Sequence, residues 1–188
     1  GRTDRPDRTT PGEWRMSPVD MDLIDGPPSD DALTPPAEPA VPARRADSEK
    51  VALEAHLLKP KNHPSKSVIV FMHPVGGGAY LPMVSALAKA GFHVIYCNSR
   101  YRGADAALIM EKVAADLGAC IRDAKERLGY DKVILAGWSG GGSLSMFYQA
   151  EAEDPRVTHT PAGDPYDLTA RKLIPADGIM LLAAHVSR

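Results

Sequence analysis

The run Gly137-Trp138-Ser139-Gly140-Gly141-Gly142 sets one hydroxyl among glycines, directly after the apolar stretch Val133-Ile134-Leu135-Ala136. A serine so placed is a candidate nucleophile. Where a buried strand turns at once into a helix, side chains beside the turn collide. Glycines at 137 and 141 remove that clash, and Ser139 is held in strained backbone geometry with its Oγ above the strand end. The helix that follows brings its positive end to the same point, so the Gly140 amide is an expected donor to an oxyanion on a carbonyl substrate. Trp138 is expected to wall the turn. The chemistry is acyl transfer, which requires a histidine to take the serine proton and a carboxylate to orient that histidine.

A second glycine-rich run, His73-Pro74-Val75-Gly76-Gly77-Gly78, follows the apolar stretch Ser67 to Met72. With it the sequence resembles the α/β-hydrolase superfamily, in which a His-Gly-type loop after the third strand supplies the other oxyanion amide. Pro74 departs from that pattern. Proline has no N–H, so the donor is expected from Val75 or Gly76. The resemblance makes His73 an organiser of the loop, since it precedes the serine and the family's base follows it. Asn98-Ser99-Arg100-Tyr101-Arg102-Gly103 resembles the family's Asp-x-Arg-Gly-type turn, which gives Arg100 a structural pairing role and Ser99 and Tyr101 a packing role.

The same resemblance implies the chain order serine, acid, histidine. After Ser139 the histidines are His159 and His185. His159 lies in a polar excursion, a poor position for a base. His185 ends the apolar run Ile179 to Ala184 and so falls near the active-site edge, but in the family this strand precedes those that carry the acid and the histidine. The expectation is a C-terminally truncated α/β-hydrolase, with acid and base beyond Arg188. Asp164 and Asp167 are the nearest carboxylates, and solvated turns or a substrate loop suit them better.

Positioning these groups takes alternating strands and helices. Val51–Leu58 reads as an edge strand, and Ser67–Met72, His93–Cys97, Lys132–Ala136 and Gly178–Ala183 as strands buried in a parallel sheet. Tyr80–Ala90 and Ser143–Ala152 read as helices. A longer helix between them carries Ile109, Val113, Leu117, Ile121, Ala124 and Leu128 on one stripe. The expected fold class is α/β, a mostly parallel sheet with helices on both faces. Residues 1–48, rich in proline and polar groups, are expected to form a disordered arm, leaving 49–188 as the hydrolase domain.

The 188 residues are 44% hydrophobic and 24% charged, a balance that supports one core. Lysine and arginine number 22 against 24 acidic residues, a net charge of −2 that gathers neither nucleic acid nor an anionic membrane. No apolar run approaches the roughly 18 to 20 residues of a membrane span, and the polar N-terminus has no signal-like core, which points to the cytoplasm. Cys97 and Cys120 suggest partly buried reduced thiols, with no metal and no cofactor. The expected substrate is a small ester or related acyl compound; amide, thioester and lactone cleavage share this turn. A catalytically silent scaffold is the alternative. A phosphate or nucleotide binder is a weaker one, because Ser143 stands where a phosphate-binding loop would carry lysine.

Overall fold

Period-two burial along three consecutive strands sets the layering. In the computed structural model, which describes residues 14–22, 51–60, 63–76, 81–103 and 105–185, β3 (Ser67–Phe71), β4 (Val94–Cys97) and β5 (Lys132–Trp138) each divide their side chains between two apolar clusters. Val68, Val70, Ile95, Cys97, Val133 and Leu135 face one cluster; Ile69, Phe71, Val94, Tyr96 and Ala136 face the other. A strand buried on both faces needs a helix on each, and the sequence supplies them. Helix α1 (Pro82–Lys89) covers the second cluster with Val84 and Ala88. Helices α2 (Met110–Glu126) and α3 (Gly140–Glu153) cover the first, with Val113, Leu117, Cys120, Ile121 and Ala124 from α2 and Leu144 and Tyr148 from α3.

The sheet runs β1 (Trp14–Asp22), β2 (Ala52–Pro60), β4, β3, β5, β6 (Gly178–Leu182). Strands β4, β3, β5 and β6 are parallel, while β2 is antiparallel to β4 and β1 to β2. The α/β class with a mostly parallel sheet and helices on both faces is therefore the architecture of the chain. All parallel strands end on one edge, so the turns after β3, β4, β5 and β6 gather there.

Three local expectations need adjustment. Residues 14–22 fall in the segment read as an arm, yet their backbone forms strand β1 along the whole of β2, from Trp14 opposite Pro60 to Asp22 opposite Ala52. An edge strand tolerates a proline such as Pro18, so the proline-rich, polar composition that argued for disorder does not exclude a strand here. As a consequence β2 is an inner strand and not the edge. Helix α3 starts at Gly140, three residues before Ser143, because the turn at Ser139 leads straight into it. The rest of the expected arm, 1–13 and 23–48, lies outside the described residues.

One buried ion pair fixes the turn after β4 to α2. The Arg100 guanidinium donates to Asp116 through Nε (3.0 and 3.1 Å) and Nη2 (2.6 Å), and the Arg100 amide adds a bond of 3.0 Å. Their side chains are 7% and 0% exposed, so neither charge is solvated. Substituting Asp116→Ala removes the anion from a buried guanidinium, and a loss of about 3–5 kcal/mol in unfolding free energy is expected by urea denaturation.

Candidate active site

Among the described glycines the closest approach to backbone lies where β5 enters α3. A Cβ on Gly137 would lie 2.5 Å from both the Gly141 carbonyl oxygen and Gly142 Cα, and one on Gly141 would lie 2.6 Å from the Met72 carbonyl oxygen. Any side chain at either position forces the helix off the strand. Ser139, between them, has φ 53° and ψ −124°, a left-handed conformation that L-residues rarely adopt. Gly140 is the first residue of α3, so its amide has no carbonyl four residues back to bond. Strain, free amide and helix dipole thus meet around one hydroxyl.

The loop after β3 lies against this turn. His73 is half-buried, its ring centroid 5.9 Å from that of Trp138, and its Nε2 would lie 3.3 Å from a Cβ on Gly140. The loop closes on itself. Gly76 donates its amide to the His73 carbonyl (2.9 Å), and the Val75 amide reaches His73 Nδ1 at 3.4 Å. Accepting at Nδ1 assigns the ring proton to Nε2. The turn after β4 anchors the loop from the other side: buried Ser99 Oγ donates to the Pro74 carbonyl (2.5 Å), and the Gly103 amide donates to that of Val75 (3.1 Å). Ser99 also accepts from the Tyr101 amide (3.2 Å), so its contacts are those of a packing residue.

His185, expected near the active-site edge, lies on it: its Nε2 is 3.1 Å from Ser139 Oγ. A signal was present in the sequence. The third glycine, Gly142, is not needed by the turn itself; a Cβ there would overlap Ala184 Cβ, so this glycine admits the segment that delivers His185.

His159, by contrast, is exposed and bridges to Pro165. The Asp167 carboxylate accepts from the Thr169 amide (2.9 Å), the Thr169 hydroxyl (2.5 Å) and the Ala170 amide (3.2 Å), and so caps a 3-10 turn over Thr169–Arg171. Asp164 lies in an exposed turn, its amide bonded to Thr160 Oγ1 at 3.2 Å. Cys97 and Cys120 are free and fully buried, more deeply than expected. Among the described residues no group of three or more His, Cys, Asp and Glu is arranged to hold a metal ion, and no helix is long and apolar enough to cross a membrane.

A family model described as the alpha/beta hydrolase fold matches residues 67–159, from the start of β3 past the end of α3. Solved structures share the architecture at low identity. The esterase Est22 superposes with a TM-score of 0.57 at 14% identity, over 93% of this chain and 45% of that one. A bacterial heroin esterase gives 0.55 at 17% identity, over 93% and 45%. Brefeldin A esterase, a bacterial homologue of human hormone-sensitive lipase, gives 0.51 at 17%, over 80% and 39%. This chain therefore spans less than half the length of those structures. No curated protein matches it. With strands β3 to β6 parallel and a strained serine opening α3, the architecture is the α/β-hydrolase fold. Residues 67–159 carry the sequence pattern of the α/β-hydrolase superfamily on that fold.

Burial, and then the charge of His185, holds the His73 imidazole below its ordinary value of 6.5. The unfolded chain keeps the ordinary value, so between the two it binds more protons than the folded one. Stability is therefore present above about pH 6.5 and is lost as pH falls toward the depressed folded value. Thermal melts across this range should show a falling midpoint, with a shallower slope in His73→Gln.

Proposed function

We propose that the protein is a serine hydrolase that cleaves a carboxylic ester, or a related acyl compound, through an acyl-enzyme on Ser139. The observation that carries this reading is the backbone of Ser139, strained at φ 53° at the start of a helix with its hydroxyl bonded to an imidazole. Strain of this kind persists only where surrounding packing over-determines it, and here it aims one hydroxyl out of the sheet edge.

Attack of Ser139 Oγ on an acyl carbon converts the carbonyl into an oxyanion. The Gly140 amide, at the positive end of α3, is the first donor to it. Of the two candidate partners in the loop after β3, the Val75 amide is the more available: its bond to His73 is 3.4 Å, against 2.9 Å for the bond that engages Gly76. His73 and Trp138 shape the wall beside the serine, and no cofactor enters the reaction. Esterases among the structural neighbours favour a small ester as substrate.

A fluorophosphonate probe tests the reading. The protein is expected to take up one equivalent of phosphonate, mapped by mass spectrometry to Ser139, and Ser139→Ala to take up none. Labelling elsewhere, or equal labelling of the variant, overturns the assignment.

A further inference from the structure

We infer that Glu54, on β2, is a positioning residue for the oxyanion donors: it clasps both ends of the turn after β4, and that turn aims the amides of Val75 and Gly76. The inference rests on the serine hydrolase reading and adds to it the group that sets the loop beside the nucleophile.

A peptide unit is planar, with its carbonyl and its N–H on opposite sides, so fixing one aims the other. Ser99 Oγ donates to the Pro74 carbonyl (2.5 Å), which shares a plane with the Val75 amide. The Gly103 amide donates to the Val75 carbonyl (3.1 Å), which shares a plane with the Gly76 amide. Both candidate donors are thus aimed through their partner carbonyls by the turn over 99–103. Their directions are only as well defined as that turn.

Glu54 holds the turn at its start and at its end. Antiparallel pairing of β2 with β4 sets Ala55 opposite Cys97, and one step further the Asn98 amide donates to the Glu54 carbonyl (2.9 Å). The Glu54 carboxylate continues the grip. Its Oε2 accepts from Arg102 Nη1 and lies 3.5 Å from Nδ2 of buried Asn98, while Oε1 lies 3.1 Å from His56 Nε2. Held in this way, Arg102 lies along the oxyanion loop. A Cβ on Gly76 would lie 3.2 Å from Arg102 Cγ, 3.4 Å from its Cα and 3.7 Å from Asn98 Oδ1. Gly76 has φ 68°, so both its conformation and its place against the Arg102 stem call for glycine. The side chains of Arg102 and Glu54 are 62% and 34% exposed, which leaves their attraction open to screening by salt.

The test follows labelling of Ser139 by an uncharged fluorophosphonate in the full 188-residue chain, and separates the maximal rate from the half-saturating concentration. Oxyanion donors act on the transition state. Glu54→Gln is therefore expected to lower the maximal rate about fivefold, the upper end for an exposed ion pair, and to leave the half-saturating concentration unchanged. Arg102→Met, which keeps the methylene against Gly76 and removes the charge, should do the same. High salt should bring the parent rate toward that of the variants and leave theirs unaltered. The reversed pair, Glu54→Arg with Arg102→Glu, should recover much of the rate. Circular dichroism melts establish that each variant is folded. Folded single variants with the parent's maximal rate, or a loss confined to the half-saturating concentration, overturn the role of Glu54 and leave the hydrolase reading standing. A reversed pair no faster than the single variants overturns it as well. A parent protein that does not label at Ser139 overturns both.

Discussion

Where a residue's Cβ would point straight into a neighbouring segment, the two can pack only if that residue is glycine, and the site of this protein is built on that restriction. At the turn from β5 into α3, Gly137 faces the backbone of 141–142, Gly141 faces the carbonyl of Met72 at the end of β3, and Gly142 faces Ala184 after β6. Three glycines therefore let three neighbouring segments converge on Ser139. The sheet order makes these the right segments, since β3 and β6 are the two neighbours of β5. Each approach brings a histidine, His73 from one side and His185 from the other. Close packing of main chain is here the means by which side-chain chemistry is assembled.

The remaining support comes from the turn after β4. Arg100 and Asp116 tie that turn to α2 through a buried ion pair, and Ser99 and Gly103 in the same turn hold the carbonyls of Pro74 and Val75. The loop beside the nucleophile is thus braced by a charge pair in the core. A polar network of this kind costs desolvation free energy but specifies one arrangement of the loop, and a loop that presents amides to an oxyanion needs one arrangement.

Much of this was legible in the residues. Runs of β-branched and aromatic residues mark β3, β4 and β5 because strands buried on both faces cannot alternate with polar groups, and the stripe from Val113 to Ala124 marks α2. Ser139 was legible because its glycines have a steric cause that spacing alone reveals. What escaped is non-local. Strand β1 depends on pairing with β2 some forty residues away, and nothing in Trp14–Asp22 announces that pairing. The approach of His185 to Ser139 depends on Ala183, left-handed at φ 44°, and on the bond from the His185 amide to the Ser139 carbonyl, tertiary contacts of which only Gly142 gives a sign. Asp167, read as a carboxylate of a solvated turn or a substrate loop, lies in a turn, where it accepts from the Thr169 and Ala170 amides.

The buried cysteines carry a consequence of another kind. Cys97 sits in β4 and Cys120 in α2, both at zero exposure, and a hydrogen bond that the Cys97 thiol makes to Cys120, together with burial, pushes that thiol well above its usual range. A thiol held in that form is neither a nucleophile nor a ready target for oxidants. Its reactivity returns only when α2 lifts from the sheet. The pair is therefore a built-in clock for the opening of that helix, and the rate at which an alkylating reagent consumes these sulfurs measures how often the layer beneath the catalytic edge comes apart.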